Sequence, residues 1–387
     1  MGRFTLPVFS IAVSILSVPG LAQEAVIDLG VEEVIQAGGV DIVVPGYSVP
    51  SFEDWNNDGL GDLIVGEGGG FSPGKVRIYL NVGTAVDPCF VDYLYAQSEG
   101  SDLTCPAQGC LGCFPRVVHW DEDPYKDLLV GQADGTVRIF LNVADNNEPA
   151  FDAGEYVTVR NDLRLHVGAR ATPTPVDWDN DGMLDLVLGT LGGTIHFYQN
   201  CGCGGAVPPH FYFMGPDGMY VQANGRDLQV SGMRSSPAVV DADGDGRKDL
   251  LSGNTNGAIL FYQNVGTDSQ PVFSGYTLVQ SNGQPIDLAG SMRSRPAVCH
   301  WTGAEDGYWD LLVGYGDGKV RLYRGIPKPG DFDEDGALDA DDFTVLAMAL
   351  DQPVPTEGSP ADLNADGAVD DLDLRLFADL WLADRAQ

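Results

Sequence analysis

Five segments of this 387-residue chain repeat one acidic motif, and the repetition constrains the fold more than any other feature. In each segment, Asp, Asn or His residues lead to a final Asp, which is followed by three mostly apolar residues and a Gly. The final Asp occurs at Asp62, Asp127, Asp185, Asp249 and Asp310, so the motifs recur at a nearly constant interval. Such an interval indicates an array of similar units that bury their apolar faces against one another.

Each unit contains short strand patterns that are separated by Gly or Asn-Gly turns. In the fourth unit the patterns are Pro237–Val240, Leu250–Leu251 and Ala258–Gln263, followed by an outer piece near Tyr276–Val279. About four strands per unit is typical of the blades of a β-propeller. The alternative, a linear array of small β-domains, would leave each unit unable to bury both of its faces. The sequence therefore predicts an all-β propeller over residues 24–325.

The two ends of this region predict how the ring closes. The fifth unit stops at Gly325, after its third strand pattern, and so lacks outer strands. The segment Val34–Ile42 precedes the first motif and is similar to Leu278–Leu288, the outer part of a complete unit. We expect the N-terminal segment to complete the last blade and cover its open edge, which gives five blades.

Oxygen-bearing side chains occupy alternate positions of the motif, in a loop that also contains a Gly. Alternate side chains of a tight loop can converge on a hard cation such as Ca²⁺, and Gly permits the sharp bend. Without a cation, several carboxylates a few ångströms apart would repel one another and resist folding. The alternative interpretation is that Asp and Gly only form polar turns here.

These motifs resemble the FG-GAP (VCBS) repeat family, whose calcium-binding propellers include the head of integrin α chains. The resemblance implies three calcium sites, formed by Asp54, Asn56, Asp58, Asp62 and the carbonyl of Leu60 in the first unit, by Asp177, Asp179, Asp181 and Asp185 in the third, and by Asp241, Asp243, Asp245 and Asp249 in the fourth. The second and fifth motifs have His119 and His300 at the first ligand position, and Pro124 replaces the Gly of the second. We expect these two loops to be weak or empty.

Two further acidic loops follow a short linker at 326–330. Each has twelve residues with Gly at the sixth position, and each precedes an apolar helix pattern. This spacing is typical of EF-hand-type calcium loops. The duplication, with Asp at position twelve and a helix only after the loop, resembles a type I dockerin module over 331–383. It implies two more calcium sites, with ligands Asp331, Asp333, Asp335, Asp339 and Asp342 in one loop and Asp362, Asn364, Asp366, Asp370 and Asp373 in the other.

The dockerin resemblance also implies a partner, because dockerins bind cohesin domains and so attach a protein to a scaffold or a cell-surface assembly. Positions ten and eleven of the loops are Ala340-Asp341 and Asp371-Leu372, where typical dockerins carry small hydroxyl residues that recognise the partner. The alternative is a calcium-stabilised tail without a partner.

Residues 1–22 have the pattern of a secretory signal peptide. Arg3 precedes an apolar stretch from Leu6 to Val18, and Gly20 and Ala22 are the small residues of a cleavage site. The apolar stretch is too short to span a bilayer comfortably. We therefore expect a secreted or cell-surface protein without membrane insertion.

An exported protein is expected to form disulfides. The seven cysteines are Cys89, Cys105, Cys110, Cys113, Cys201, Cys203 and Cys299. The first four lie in one Gly- and Pro-rich stretch that disulfides could staple, or they could hold zinc, because one pair has ligand spacing. The next two form a second local pair, and the last lies in a strand pattern, where we expect a buried thiol.

Arginine marks one candidate ligand site. Arg170, Arg234 and Arg293 each lie three residues before the Pro that begins an inner strand pattern, and Arg295 adds a fourth. In a propeller these positions ring one mouth of the central channel, and Arg suits carboxylate or sulfate groups. One hypothesis is a site for an anionic glycan or an acidic peptide. The alternative is that each Arg pairs with acids of the neighbouring blade.

The charge balance excludes some partners. The chain has 21 Lys and Arg against 56 Asp and Glu, which gives a formal net charge of −35, and more than half of the acids lie in the seven loops. Nucleic acid and anionic membrane surfaces are therefore unlikely partners, since both require clustered basic residues.

The motifs of common enzyme classes do not occur in the sequence, such as Gly-x-Ser-x-Gly or His-Glu-x-x-His. The sequence favours a secreted, calcium-stabilised propeller that acts as a binding or adhesion module. The alternatives are a carbohydrate-active enzyme with an acidic site and a structural surface-layer component.

Overall fold

The computed structural model describes residues 26–69, 73–106, 112–121, 123–159, 163–200, 202, 211, 219–288, 293–303, 308–332, 338–350, 359–364 and 366–384. The predicted signal peptide at 1–22 lies outside the described residues.

Antiparallel sheets of one recurring order make up the larger part of the protein. From the inner strand outward, sheet 1 contains Val49–Glu53, Asp62–Gly66, Gly74–Tyr79 and Leu94–Tyr95, with Thr104–Cys105 also beside the third strand. Sheet 2 contains Phe114–Val118, Asp127–Gly131, Val137–Phe140 and Glu155–Tyr156. Sheet 3 contains Thr172–Val176, Asp185–Gly189, Ile195–Tyr198 and Met219–Tyr220. Sheet 4 contains Ser236–Val240, Asp249–Gly253, Ile259–Tyr262 and Thr277–Leu278. Sheet 5 contains Arg295–Cys299, Asp310–Gly314, Val320–Tyr323 and, from the N-terminal region, Glu33–Val34.

The strand sequences explain this order. Every inner strand has Pro at its second position, and Pro is tolerated at the edge of a sheet because it lacks the N–H that an interior strand must donate. The second strand of every sheet is the Asp-Leu-x-x-Gly segment of the motif, and all five of its residues are buried. Strands buried on both faces are expected to be mostly apolar, and the three residues after the Asp are apolar in every sheet except at Ser252.

The Gly that ends each motif lets neighbouring sheets approach closely. A Cβ at Gly66, Gly131, Gly189 or Gly253 would collide with a carbonyl oxygen just before the inner strand of the next sheet. A Cβ at Gly314 of sheet 5 would collide with the carbonyl of Ser48, just before sheet 1. The five sheets of the described residues therefore contact one another in a closed ring, with their inner strands around a central channel.

Apolar clusters fill the spaces between neighbouring sheets. One cluster, for example, joins Leu129 of sheet 2 to Leu186 of sheet 3, and another joins Leu312 of sheet 5 to Leu63 of sheet 1. Burial of a Leu side chain contributes roughly 1.5–3 kcal/mol, so these layers supply the main stabilisation of the ring. The fold is an all-β propeller, as the sequence predicts.

The predicted closure by the N-terminal segment is confirmed. Glu33–Val34 pairs antiparallel with Val320–Tyr323 and supplies the outer strand of sheet 5. Asp28–Leu29 pairs parallel with Gln280–Ser281 of the preceding unit. Short peripheral hairpins pair Gln36–Ala37 with Val40–Asp41, Gln97–Ser98 with Ser101–Asp102, Thr158–Val159 with Leu163–Arg164, Gln222–Ala223 with Arg226–Asp227 and Gln280–Ser281 with Gln284–Pro285.

A small helical domain follows the propeller. Helix α1 is Ala340–Ala349 and helix α2 is Asp371–Asp384, and a separate core that includes Leu346 and Phe377 lies between them. Each helix begins at the end of an acidic loop. At α1, Asp339 and Asp342 form a capping box, in which each side chain accepts a backbone N–H near the helix start. Neither helix in the described part of the chain is long and apolar enough to cross a membrane.

The cysteines partly follow the expectation. Cys105 and Cys113 form a disulfide, Cys89 is an exposed thiol and Cys299 is a buried thiol. The zinc alternative is wrong for the first group, because the disulfide removes two of its four thiolates. Cys110, Cys201 and Cys203 lie outside the described residues.

Candidate metal sites and the central channel

The three propeller loops with an intact motif share one hydrogen-bond pattern. In the first, Asp54 accepts the backbone N–H groups of Asp58 and Gly59 at 3.2 and 3.1 Å, and Asp58 accepts that of Leu60 at 2.9 Å. Asp177 and Asp181 make the same bonds in the third unit, and Asp241 and Asp245 make them in the fourth. Gly59 has a φ of +85°, which explains the Gly at this position.

Two of these loops gather carboxylates tightly enough to hold a cation. Asp177, Asp179 and Asp181 each offer an oxygen, and the three oxygens lie within 4.8 Å of one another. Asp241, Asp243 and Asp249 form a second such group. Anionic groups at this separation repel one another, and a hard cation with oxygen ligands would remove the repulsion. In the first unit, Asn56 replaces one of the acids.

The final Asp of each motif forms hydrogen bonds that hold its sheet together, in addition to its predicted role as a calcium ligand. Its side chain is buried, and its two oxygens accept backbone N–H groups from two different loops of the same sheet. Asp127, for example, accepts from Trp120 at 3.0 Å and from Asn142 at 2.8 Å. Asp62, Asp185, Asp249 and Asp310 make the same pair of bonds in the other units. The two degenerate motifs also keep this Asp, although their other predicted ligands have changed. That was the signal in the sequence for a structural role.

These carboxyl groups have perturbed acidities. Burial raises the pKa of Asp62 and Asp127 to about 6 and that of Asp185 and Asp249 to about 7, although the backbone donors partly oppose the shift. Removal from water therefore outweighs the hydrogen bonds to the ionised form.

In the two degenerate loops, a His contacts the group that the family resemblance assigns to the cation. His119 Nδ1 lies 3.1 Å from the carbonyl oxygen of Tyr125, and His300 Nδ1 lies 2.8 Å from that of Tyr308. Both carbonyls occupy the position of Leu60 in the first unit, two residues before the final Asp. An imidazole that donates to this oxygen would satisfy it without metal, which supports the prediction that these loops are weak or empty.

The second loop of the helical domain repeats the pattern of the propeller loops. Asp362 accepts the backbone N–H groups of Asp366 and Gly367 at 3.1 and 2.8 Å, and Asp373 accepts those of Asn364 and Asp370 at 3.3 and 2.8 Å. The other predicted ligands of this loop thus lie around one turn.

In the first loop of the helical domain, the buried Asp342 accepts from Phe332 at 2.5 Å and from Asp339 at 2.9 Å. Asp331 accepts the hydroxyl of Tyr308, which ties this loop to sheet 5. Asp333 and Asp335 lie outside the described residues.

Two of the four residues of the predicted arginine ring are buried. Arg170 and Arg295 are 0% and 1% exposed, so the expectation that they present their charge to solvent at the mouth is wrong for these two. The guanidinium of Arg170 donates to the Ser235 carbonyl at 2.7 Å and lies 5.1 Å from the Phe114 ring, while that of Arg295 lies 4.6 Å from the Tyr47 ring. Packing of cations against aromatic faces at this end of the channel explains their burial.

Arg234 and Arg293 are half-buried and keep part of their surface accessible. Arg293 contacts the Tyr47 hydroxyl and lies 4.8 Å from its ring. Arg170, Arg234 and Arg293 all have φ values between +59° and +79°, a left-handed conformation that Gly or Asn adopts more easily. The Arg at each of these positions therefore has a backbone cost that Gly or Asn would not have.

The middle of the channel holds a cavity that the sequence did not reveal. It has a volume of about 230 Å³ and is lined by residues of all five inner strands, namely Ser51, Phe52, Glu53, Arg116, Val117, Thr174, Pro175, Ala238, Val239, Ala297 and Val298.

Glu53 and Arg116 are the charged groups of this lining. The Glu53 side chain is exposed, yet partial burial of its carboxyl group raises the pKa of that group. The positive charges of Lys126 and Arg116 partly oppose this shift. Burial lowers the pKa of Arg116 to about 10, and Glu53 opposes that shift.

Comparison with protein families assigns two parts of the chain. Residues 177–252 match the model of the FG-GAP-like repeat, and residues 329–378 match that of the dockerin type I domain. The chain therefore contains an FG-GAP-like repeat and a dockerin type I domain. The FG-GAP-like match covers the third and fourth motifs, whose loops carry the two carboxylate groups. The dockerin match covers both loops of the helical domain.

Dockerin type I domains bind Ca²⁺ and cohesin domains, and proteins that carry them are typically components of extracellular complexes. The acidic loops described above are the parts of this chain that correspond to Ca²⁺ binding. The second property, cohesin binding, supports a cohesin domain as the partner class of the helical domain.

Comparison with curated proteins found no match. Among solved structures, a GH43_1 enzyme from Xanthomonas citri is 14% identical with a TM-score of 0.41, and covers 73% of this chain and 88% of its own. CoXyl43, a GH43 β-xylosidase/α-arabinofuranosidase from a compost microbial metagenome, is 11% identical with a TM-score of 0.36, and covers 76% and 94%. BBS1N in complex with ARL6DN is 12% identical with a TM-score of 0.37, and covers 78% and 98%. At these values the similarities carry no argument about activity.

Proposed function

We propose that this protein is a secreted, calcium-stabilised propeller that works as a binding module and is attached through its dockerin domain to a cohesin domain. The observation that carries the proposal is the dockerin type I match at 329–378, together with two acidic loops that each lead into a helix. Export follows from the signal-peptide pattern at 1–22 and agrees with a disulfide in the propeller.

In this proposal, calcium occupies the three intact propeller loops and the two dockerin loops. The loops of the third and fourth units support propeller sites most directly, because in each of them three carboxylate oxygens already converge. In the second dockerin loop, Asp362 and Asp366 support a site because they form the same turn as the intact propeller loops. One cation type can therefore serve both domains.

The tethering is tested with the full chain and a panel of immobilised type I cohesin domains. We expect retention in Ca²⁺ and release by EGTA. We expect Asp362→Ala to abolish retention because it removes a predicted ligand and the side-chain oxygens that accept two backbone N–H groups. Asp243→Ala, in the propeller, is the matched control and should bind cohesin as the unaltered chain does. If a folded, calcium-loaded chain binds no cohesin of the panel, the tethering proposal is wrong.

The ligand of the propeller is a glycan or a protein in this proposal, and Arg234 and Arg293 are its candidate contacts for an anionic group. Arrays of sulfated, uronic-acid and neutral glycans test this, with Arg234→Gln and Arg293→Gln expected to weaken only the anionic ones. Glycoside hydrolysis requires two carboxyl groups around the scissile bond. The described lining of the channel cavity includes one, Glu53, so we put forward binding and not hydrolysis.

A further inference from the structure

Because the five inner strands are equivalent, their residues can be compared position by position to find those that differ from the rest. At the third position of the inner strands, sheets 1, 3, 4 and 5 carry Ser51, Thr174, Ala238 and Ala297, all small residues, whereas sheet 2 carries Arg116. At the fifth position, sheets 2, 3, 4 and 5 carry Val118, Val176, Val240 and Cys299, whereas sheet 1 carries Glu53. Residues that break a local rule without a structural gain are expected at functional sites.

The two exceptions face the same cavity from neighbouring sheets. Arg116 donates to the carbonyl oxygens of Pro50 and Pro115 at 3.3 and 2.8 Å, which holds the guanidinium across the gap between sheets 1 and 2. In the described residues, no ion pair joins Arg116 to Glu53, although each shifts the pKa of the other. A cation and an anion therefore line one cavity without neutralising each other by direct contact.

A third polar group of the lining lacks a partner. Ser51 is 6% exposed, and its hydroxyl oxygen is buried without a hydrogen bond. Buried polar groups are normally hydrogen-bonded, so an unsatisfied hydroxyl beside a cavity indicates that something else completes the site. The remaining walls are mostly apolar, with valine, alanine, proline and Phe52 side chains, and Thr174 donates its hydroxyl to the Pro237 carbonyl at 2.7 Å.

We propose that the channel cavity binds a small zwitterionic molecule, whose cationic group pairs with Glu53 and whose carboxylate pairs with Arg116. A zwitterion satisfies both charges at once, whereas an anion or a cation alone would leave one of them uncompensated in a restricted space. The Ser51 hydroxyl donates to the same carboxylate. The volume of about 230 Å³ is below the ~300–1,000 Å³ of typical drug-sized pockets, which limits the ligand to a few heavy atoms. This site is separate from the dockerin domain, and its Glu53 directly precedes Asp54, the first predicted ligand of the first calcium loop.

Calorimetric titration of the full, calcium-loaded chain tests the proposal. The probes are glycine, β-alanine and 4-aminobutyrate, in which the distance between the two charges increases, and the comparators are acetate, methylammonium and xylose. We expect one of the zwitterions to bind at least 10-fold more tightly than each comparator, with a clear preference for one charge separation.

The repeat also supplies variants that should fold. Glu53→Val and Arg116→Thr place residues that other sheets carry at the same positions, and each is expected to weaken zwitterion binding at least 10-fold. Lys75→Gln, which breaks a surface ion pair with Asp102, is the control and should leave binding unchanged. Xylose or acetate binding as tightly as every zwitterion would overturn the proposal. The absence of zwitterion binding to a chain with an unchanged melting temperature would also overturn it.

Discussion

Replacement of Asp127 by Ala tests the balance of forces at the buried carboxyl group of the motif. Asp127 is 1% exposed and accepts two buried backbone N–H groups, so its loss leaves both donors unsatisfied, at about 1–3 kcal/mol each. The same replacement removes a carboxyl group whose pKa burial raises to about 6, against about 3.9 in an unfolded chain. That difference of about 2 pKa units is a cost of about 3 kcal/mol when the group is ionised. At pH 7.5 the two effects therefore oppose each other, and we expect a net loss of up to about 3 kcal/mol.

The pH dependence separates the two effects. Because the pKa is higher in the folded than in the unfolded protein, the folded state binds the proton more tightly between pH 4 and 6, and stability rises as the pH falls through this window. At pH 4.5 the unaltered protein should gain about 2 kcal/mol from Asp127 relative to pH 7.5, and the Ala variant cannot. The destabilisation by Asp127→Ala should therefore be about 2 kcal/mol larger at pH 4.5.

Urea unfolding of both proteins at pH 4.5 and 7.5 measures this difference, since all other titrating groups are common to the two. Asp92→Ala, which removes an exposed carboxylate, is the control and should give the same small change at both pH values. An equal destabilisation by Asp127→Ala at both pH values would refute the reasoning, because it would mean that the hydrogen bonds keep the buried group at its ordinary pKa.

Three further predictions concern the loops and the disulfide. His119→Asp combined with Pro124→Gly restores the motif of the second unit, so calcium titration should give one more bound ion, and an unchanged stoichiometry would contradict our view of that loop. Chelation by EGTA should lower the melting temperature of the unaltered chain by several degrees. Asp243→Asn should reduce that shift, because one of the carboxylate groups is then incomplete. A melting temperature that EGTA does not change would contradict calcium binding. Replacement of Cys105 and Cys113 by Ser should cost about 2–3 kcal/mol in urea unfolding, as expected for a closed loop of eight residues, and a reductant should have the same effect.

The sequence predicted the parts of the fold that repeat. The recurrence of the final Asp and of the Gly after it was sufficient for a propeller, because both residues serve contacts within and between neighbouring sheets. The pairing of Glu33–Val34 with the last sheet was also predictable, since the fifth unit lacks an outer strand. The direct bonds of Asp62 and its equivalents to two backbone groups were not, because an acid that binds metal and one that accepts N–H groups look alike in a sequence.

Features that depend on packing across the channel were harder to predict. The sequence placed Arg170, by its spacing, and Arg295 in a ring at the mouth, but the aromatic rings of Phe114 and Tyr47 at the same end of the channel pack against them. Glu53 and Arg116 become noticeable only once the register of the inner strands is known, because only then can equivalent positions be compared. Their distance along the sequence gives no indication that they share a cavity.

The strand pairing that closes the ring also determines when the propeller can finish folding. The side chains of Glu32 and Arg321 make contact across 289 residues, so sheet 5 remains incomplete until nearly the whole propeller has been synthesised. Contacts of such long range make folding slow, and the edge of Val320–Tyr323 that Glu33–Val34 later covers stays available in the meantime. An edge of this kind can accept the N-terminal strand of a second molecule in place of its own, which would produce a strand-exchanged dimer with every sheet complete. The strand pairing that closes the ring is thus also a pairing that two molecules could exchange.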